Sequence, residues 1–225
     1  MASENPPAPR LLPLLLRALW ALAGVAVLAA GSATLLSAQV GVDPFTAANI
    51  GASSHLGLDL GLYQLMVNIV LLVPVVIWGR SYIGLGTVIN MVMTGFFVQW
   101  FAALLEPHVP DVPGHVLQAV LFVVGILLFT AGASAYMTAG IGTSPYDAIA
   151  PIVVEHSGLR YRAVRVAQDL LFVALALVLA GPVGVGTVMT AFFTGPLIDF
   201  FNEKVNKPLL HKVLPDPVAS TPGAA

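Results

Sequence analysis

Apolar residues in this chain come in long unbroken runs, not in the one-sided stripes of a soluble helical domain. A helix crosses a bilayer with about 20 apolar residues. Six runs reach or approach that length: Leu11 to Gln39, Leu60 to Trp78, Ile83 to Leu105, Val116 to Ala139, Ala163 to Ala180 and Val183 to Phe201. Trp20, Trp78, Trp100, Tyr82 and Tyr161 fall toward the ends of runs, where aromatic rings anchor at the membrane surface. Arg17, near the start of the first run, is placed to snorkel to the headgroups. Two shorter, mildly apolar segments, Pro44 to His55 and Pro145 to His156, would cover only about 18 Å as helix. They are predicted to be half-helices, re-entrant or lying at the interface.

The first run, with Arg10 before it, also resembles a signal peptide. It is longer than the usual apolar stretch of about 7–15 residues, and its glycine spacing returns later in the chain. It is therefore read as a retained span. All nine Lys and Arg residues lie in the segments before the first span and after the second, fourth and sixth, or, as Arg17 and Arg165, at the adjoining end of a span. The alternate segments hold none. Basic loops stay on the cytoplasmic side, so six spans with both termini inside satisfy the rule completely.

The chain repeats itself. A shift of 101 residues aligns Gly24 with Gly125, Gly31 with Gly132, Gly41 with Gly142, Pro44 with Pro145, His55 with His156 and Asn68 with Asp169. After a one-residue deletion, Gly84-Leu85-Gly86-Thr87-Val88 aligns with Gly184-Val185-Gly186-Thr187-Val188, and Thr94-Gly95 with Thr194-Gly195. Each copy then holds three crossings and one short helix. Three is odd, so the second copy enters the membrane from the opposite side, the inverted-repeat plan of many secondary transporters. Duplication retained for packing alone is the plainer reading. The expected fold is an all-α, polytopic membrane protein: a flexible cytoplasmic segment at 1–10, a first repeat at 11–105, an external linker at 106–115, an inverted second repeat at 116–203 and a cytoplasmic tail at 204–225, flexible from about Pro208.

Composition agrees. The 225 residues are 58% hydrophobic and 9% charged, where an ordinary soluble domain carries about 25% charged residues. This excludes a soluble enzyme, a disordered tail and a nucleic-acid binder. The net charge of −2 says nothing about partners, and the absence of cysteine removes disulfides, thiolate metal sites and a cysteine nucleophile.

The repeat unit is a glycine-dotted span, Gly-x-x-Pro opening a short helix, His-x-Gly-Leu, and Gly-x-Gly-Thr before the third span. It resembles the YczE/YyaS/YitT family of bacterial integral membrane proteins, over about residues 11 to 203. Gly140-Ile141-Gly142-Thr143-Ser144-Pro145-Tyr146-Asp147 is similar to that family's most recognisable stretch. The resemblance implies the fold and a place in the bacterial cell (inner) membrane, and does not specify an activity. The first copy departs from the pattern: Asp43 stands where Ser144 does and Thr46 where Asp147 does. A role tied to Asp147 would belong to one side only.

Polar residues inside the spans are the candidates for function, because an ionisable group there is costly. Asp169 is the candidate titrating group, with Arg165 four residues earlier as an intrahelical partner; a satisfied ion pair is the plainer alternative. Asn68, Asn90 and Thr190 are the candidate polar contacts, or simply interhelical hydrogen bonds. Asp43-Pro44 and Ser144-Pro145 each place an N-cap before a first-turn proline, and Ser144 with Asp147 has the spacing of a capping box. The two helix starts can face an anionic group, unless Asp43 and Ser144 consume the N–H groups themselves. His55 and His156 are read as helix caps or a pH-sensing gate, and Gly24, Gly31, Gly125 and Gly132 as packing between the halves. No metal site, cofactor site or catalytic motif is recognised.

The expectation is a small-solute transporter or permease in which two inverted halves rock about a midplane site. That site is placed where the short-helix starts approach the second and fifth spans. A membrane scaffold or accessory factor that moves nothing is the alternative; it requires fully paired polar residues and no cavity. The lipid bilayer, the solute and a homo-oligomeric or membrane-protein partner are the expected associations.

Overall fold

The computed structural model describes residues 11–213. The segment 1–10 and the distal tail, both expected to be flexible, lie outside the described residues. The described chain is helical: α1 (Leu11–Ser37), α2 (Pro44–Leu56), α3 (Leu60–Trp78), α4 (Leu85–Leu105), α5 (His115–Thr138), α6 (Pro145–Ser157), α7 (Tyr161–Val178), α8 (Val185–Phe192), α9 (Thr194–Phe201) and α10 (Lys207–Val213). Four helices, α1, α3, α4 and α5, are long and apolar enough to cross a membrane by length and composition.

The molecule is inside-out relative to a soluble bundle. Ile69, Val70, Leu127, Leu171 and Val178 are exposed, while Asn49, Gln64, Asn68, Thr130 and Asp169 are buried. A lipid-facing surface requires this arrangement, since hydrocarbon offers polar groups no partners. The interior is built from small residues. A Cβ on Gly24 would sit 2.5 Å from the backbone nitrogen of Tyr136, and one on Gly125 would sit 2.7 Å from the Leu35 side chain. Gly31 and Gly132 likewise lie against the backbones of Phe129 and Leu28. Gly24 meets Gly132 and Gly31 meets Gly125, so α1 and α5 run antiparallel in close backbone contact, the packing role expected for these four glycines.

Contacts between the two halves are reciprocal. Gly86 N donates to Ile141 O at 2.7 Å, and Gly186 N donates to Val40 O at 2.7 Å. Gly84 N bonds Thr87 Oγ1 at 3.0 Å and Gly184 N bonds Thr187 Oγ1 at 3.1 Å. Gly41 and Gly142, at φ +85 and +110, form the bends that let each loop reach across. Each Gly-x-Gly-Thr therefore starts a helix after a tight turn and fastens it to the loop of the other half. The short helices cross over in the same sense: α2 packs mainly on α7 and α6 mainly on α3.

Two expectations are corrected. The run from Val183 to Phe201 is not one helix; it breaks at Phe193 into α8 and α9. Pro196 lacks the N–H that would bond the Phe192 carbonyl, and its ring crowds that carbonyl. Phe96 stands at the matching place in the first half, and α4 runs unbroken. The second correction concerns the tail, which does not become irregular at Pro208. A π-turn (Asn202–Asn206) leads into α10, held where Asn206 Nδ2 donates to Ser134 Oγ at 2.9 Å and Leu210 is buried.

Candidate functional site

The starts of α2 and α6 meet inside the protein. Pro44 and Pro145 each occupy a first-turn position after a capping residue. Asp43 Oδ1 accepts from Thr46 N at 3.0 Å, and Ser144 Oγ accepts from Asp147 N at 3.0 Å. The following residues, Phe45 and Tyr146, are equivalents in the repeat, and their rings stack at 4.7 Å. Phe172 closes edge-on against Tyr146 at 5.0 Å. The opposite ends of both short helices are exposed and terminate at Gly57 and Gly158 in the left-handed conformation. Each short helix thus has a buried start and an exposed end.

The expected capping box differs in detail. The Asp147 carboxylate does not take the Ser144 backbone N–H, which bonds the Tyr136 hydroxyl instead. Asp147 Oδ2 accepts the Ser144 hydroxyl at 2.7 Å, leaving Oδ1 for Arg165 at 2.9 Å. Arg165 Nε also reaches Asp169 Oδ2 at 3.3 Å, and its guanidinium lies 4.9 Å from the centre of the Tyr146 ring. The Tyr146 hydroxyl donates to Asp169 Oδ1 at 2.5 Å. Asp169 is thus paired as the i,i+4 spacing anticipated, but within a network that also includes Asp147 and Tyr146.

This network forms one wall of a cavity of about 110 Å³. Asp43, Asn68, Asn90, Ser144, Asp147, Asp169 and Thr190, named as candidates from sequence, all line it. The amides of α3 also line it. Asn68 is 1% exposed and Gln64 2% exposed. Asn68 Nδ2 donates to Met91 O at 3.4 Å. Asn68 Oδ1, Gln64 Oε1 and Asp43 Oδ2 are buried without a hydrogen-bond partner among the described residues. Thr94 and Thr190 spend their hydroxyl protons on carbonyls of their own helices, at 2.8 and 2.9 Å, and Thr194 donates from α9 to Thr190 O of α8 at 2.8 Å.

The cavity is made of equivalent positions from the two copies. Gln64 corresponds to Arg165 in the repeat, Asn68 to Asp169, Asn90 to Thr190 and Thr94 to Thr194, and all eight line the cavity. Phe45 and Tyr146, and the hydroxyl of Tyr136, were not anticipated. Their aromatic character reads as packing in an apolar chain; the repeat register, which places Phe45 on Tyr146, is the signal that could have found the first two. His55 and His156 sit at the exposed ends of the short helices, outside the cavity lining. His156 Nδ1 lies 2.9 Å from Ile152 O, a local contact at its helix end. Among the described residues no group of three or more His, Cys, Asp and Glu side chains could hold a metal ion.

Comparison with known proteins extends over nearly all of the membrane region. The chain is 28% identical over 188 residues to the uncharacterized membrane protein YczE of Bacillus subtilis, covering 83% of this chain and 86% of that one. It is 24% identical over 189 residues to the uncharacterized protein YyaS of the same organism (84% and 94%). It is 25% identical over 180 residues to an uncharacterized protein of Haemophilus influenzae (79% of each). No solved structure matches. Residues 15–203 match the model of the family of unknown function DUF6198. With its apolar helices, polar interior and duplicated motifs, the chain is a membrane protein that belongs to this family, together with YczE and YyaS.

Proposed function

We propose that the protein is a small-solute secondary transporter of the bacterial inner membrane, with six crossings arranged as two inverted repeats and both termini cytoplasmic. The crossings are α1, α3, α4, α5, α7 and the broken pair α8–α9. Two observations support the inversion: the antiparallel α1–α5 contact and the reciprocal loop-to-helix bonds between halves. In α7, Arg162, Arg165 and Asp169 lower the apolar character, and the last two face the internal network instead of lipid.

The observation that carries the transport reading is the cavity. It lies where both short helices start, it is walled by matching residues of the two copies, and three of its oxygens have no partner among the described residues. A scaffold would gain nothing from buried polar atoms left unpaired, each costing about 1–3 kcal/mol. A binding site retains them for its ligand. Rocking one half against the other would open the cavity to alternate sides, and the break at Phe193 gives the second half a joint beside Thr190 and Thr194. The protein would bind and move its solute without chemical change.

Purified protein in proteoliposomes tests this directly. Uptake of a labelled solute is expected to follow a gradient and to lose its dependence on external pH in Asp169→Asn. A solute panel that yields neither uptake nor thermal stabilisation of the detergent-solubilised protein would remove the transport reading in favour of a scaffold.

A further inference from the structure

Three buried oxygens of the cavity bear on the chemical class of its ligand. Several of the cavity's donors are spent within the protein. The Tyr146 hydroxyl serves Asp169, the Ser144 hydroxyl serves Asp147, and the hydroxyls of Thr94, Thr190 and Thr194 serve helix carbonyls. Arg165 is divided between two carboxylates, at 2.9 and 3.3 Å. Among the cavity-lining residues, the buried side-chain atoms with no partner among the described residues are oxygens on three different side chains: Asp43 Oδ2, Gln64 Oε1 and Asn68 Oδ1. The assignment of the Asn68 oxygen is supported by its neighbour, because turning the amide over would face Oδ1 toward the Met91 carbonyl.

Charge points the same way. Asp43, Asp147 and Asp169 line the cavity together with one arginine, Arg165. The starts of α2 and α6 each add about half a positive charge. These together leave about one negative charge uncompensated, in a medium where desolvated charge is expensive. An anion would meet this excess and find Arg165 already engaged. A single positive charge would balance it.

We infer that the cavity binds a small organic cation bearing a primary ammonium group, whose three N–H donors answer the three unpartnered oxygens of Asp43, Gln64 and Asn68. The stacked Phe45 and Tyr146 rings beside the oxygens supply the apolar, π-rich wall that suits an organic cation better than a bare metal ion. This inference rests on the cavity being a ligand site, as in the transport reading, and deepens it by naming what the site holds.

The test is thermal unfolding of the full chain in detergent, at constant ionic strength, with methylammonium, n-butylammonium, tetramethylammonium and sodium chlorides and with sodium acetate. Both primary ammonium salts are expected to raise the melting temperature saturably. Tetramethylammonium, which has no N–H, should need at least tenfold higher concentration, and sodium and acetate should give no saturable shift. Asp43→Asn keeps the helix cap, since Asn caps as well as Asp, and should melt within about 2 °C of the parent without ligand while weakening ammonium binding at least tenfold. Asn68→Leu, similar in volume but without the oxygen, should weaken it comparably. Saturable stabilisation by acetate or sodium, no stabilisation by either ammonium salt, or unaltered ammonium binding in both variants would overturn the assignment. Ammonium binding without uptake into liposomes would keep the ligand class and remove transport. Uptake of an anionic or neutral solute would do the reverse.

Discussion

Arg165 is the residue on which the charged wall depends. It sits between Asp147 and Asp169, both drawn toward it, over the face of Tyr146. Removing one partner of a buried ionic group leaves charge without compensation, at about 3–5 kcal/mol. Arg165→Met is therefore expected to lower unfolding stability in mixed micelles by about that amount. Adding Asp169→Asn to it should recover part of the loss, since Asn still accepts the Tyr146 hydroxyl and carries no charge. A double mutant no more stable than Arg165→Met alone would mean that the two side chains do not share the energy their geometry implies. Gln64, at the equivalent place in the first half, is neutral, so no such cooperative loss is expected there.

Glycines decide how closely elements approach, and they do so for two separable reasons. Gly57 ends α2 at φ +65 with open space where a Cβ would go. Gly57→Ala should cost only the left-handed backbone penalty, about 1–2 kcal/mol. Gly142 has φ +110, and a Cβ there would fall 2.6 Å from both Gly84 N and Thr87 Oγ1. Gly142→Ala combines strain with collision, at about 3 kcal/mol or more, and should loosen the start of α4 as well. Unfolding of the two variants side by side checks the ranking; equal losses would show that the cross-half contact contributes nothing. The broken α8–α9 pair follows the same logic of local chemistry, because one proline separates it from the continuous α4.

For the whole molecule, the absence of cysteine makes topology directly measurable. Single cysteines at Arg80 and Arg160 are expected to react with a membrane-impermeant maleimide from the cytoplasmic side, and one at Val112, exposed in the linker, from the opposite side. Labelling Arg80 and Arg160 from different sides would break the six-span arrangement. The small-residue interior matters at this scale too. In lipid no hydrophobic force presses helices together, so association relies on close contact and internal hydrogen bonds. The α1–α5 glycine seam and the reciprocal loop bonds supply these.

Much of this was legible along the chain, because the information is local or periodic. Apolar run lengths located α1, α3, α4 and α5; Asp43-Pro44 and Ser144-Pro145 located the starts of the half-helices; the spacing of Arg165 and Asp169 anticipated their pairing. Polar residues inside the spans and at the short-helix starts named seven positions that the fold brings to one cavity. Their convergence is a matter of tertiary packing: α2 lies on the opposite half's α7, Phe45 meets both Tyr146 and Phe172, and Asp147 of α6 reaches Arg165 of α7. The unpaired oxygens of Asp43, Gln64 and Asn68 belong to the same class of fact. A residue type states how many hydrogen bonds a side chain can make, but which of them go unmade depends on neighbours that are distant along the polypeptide and adjacent only once it has folded.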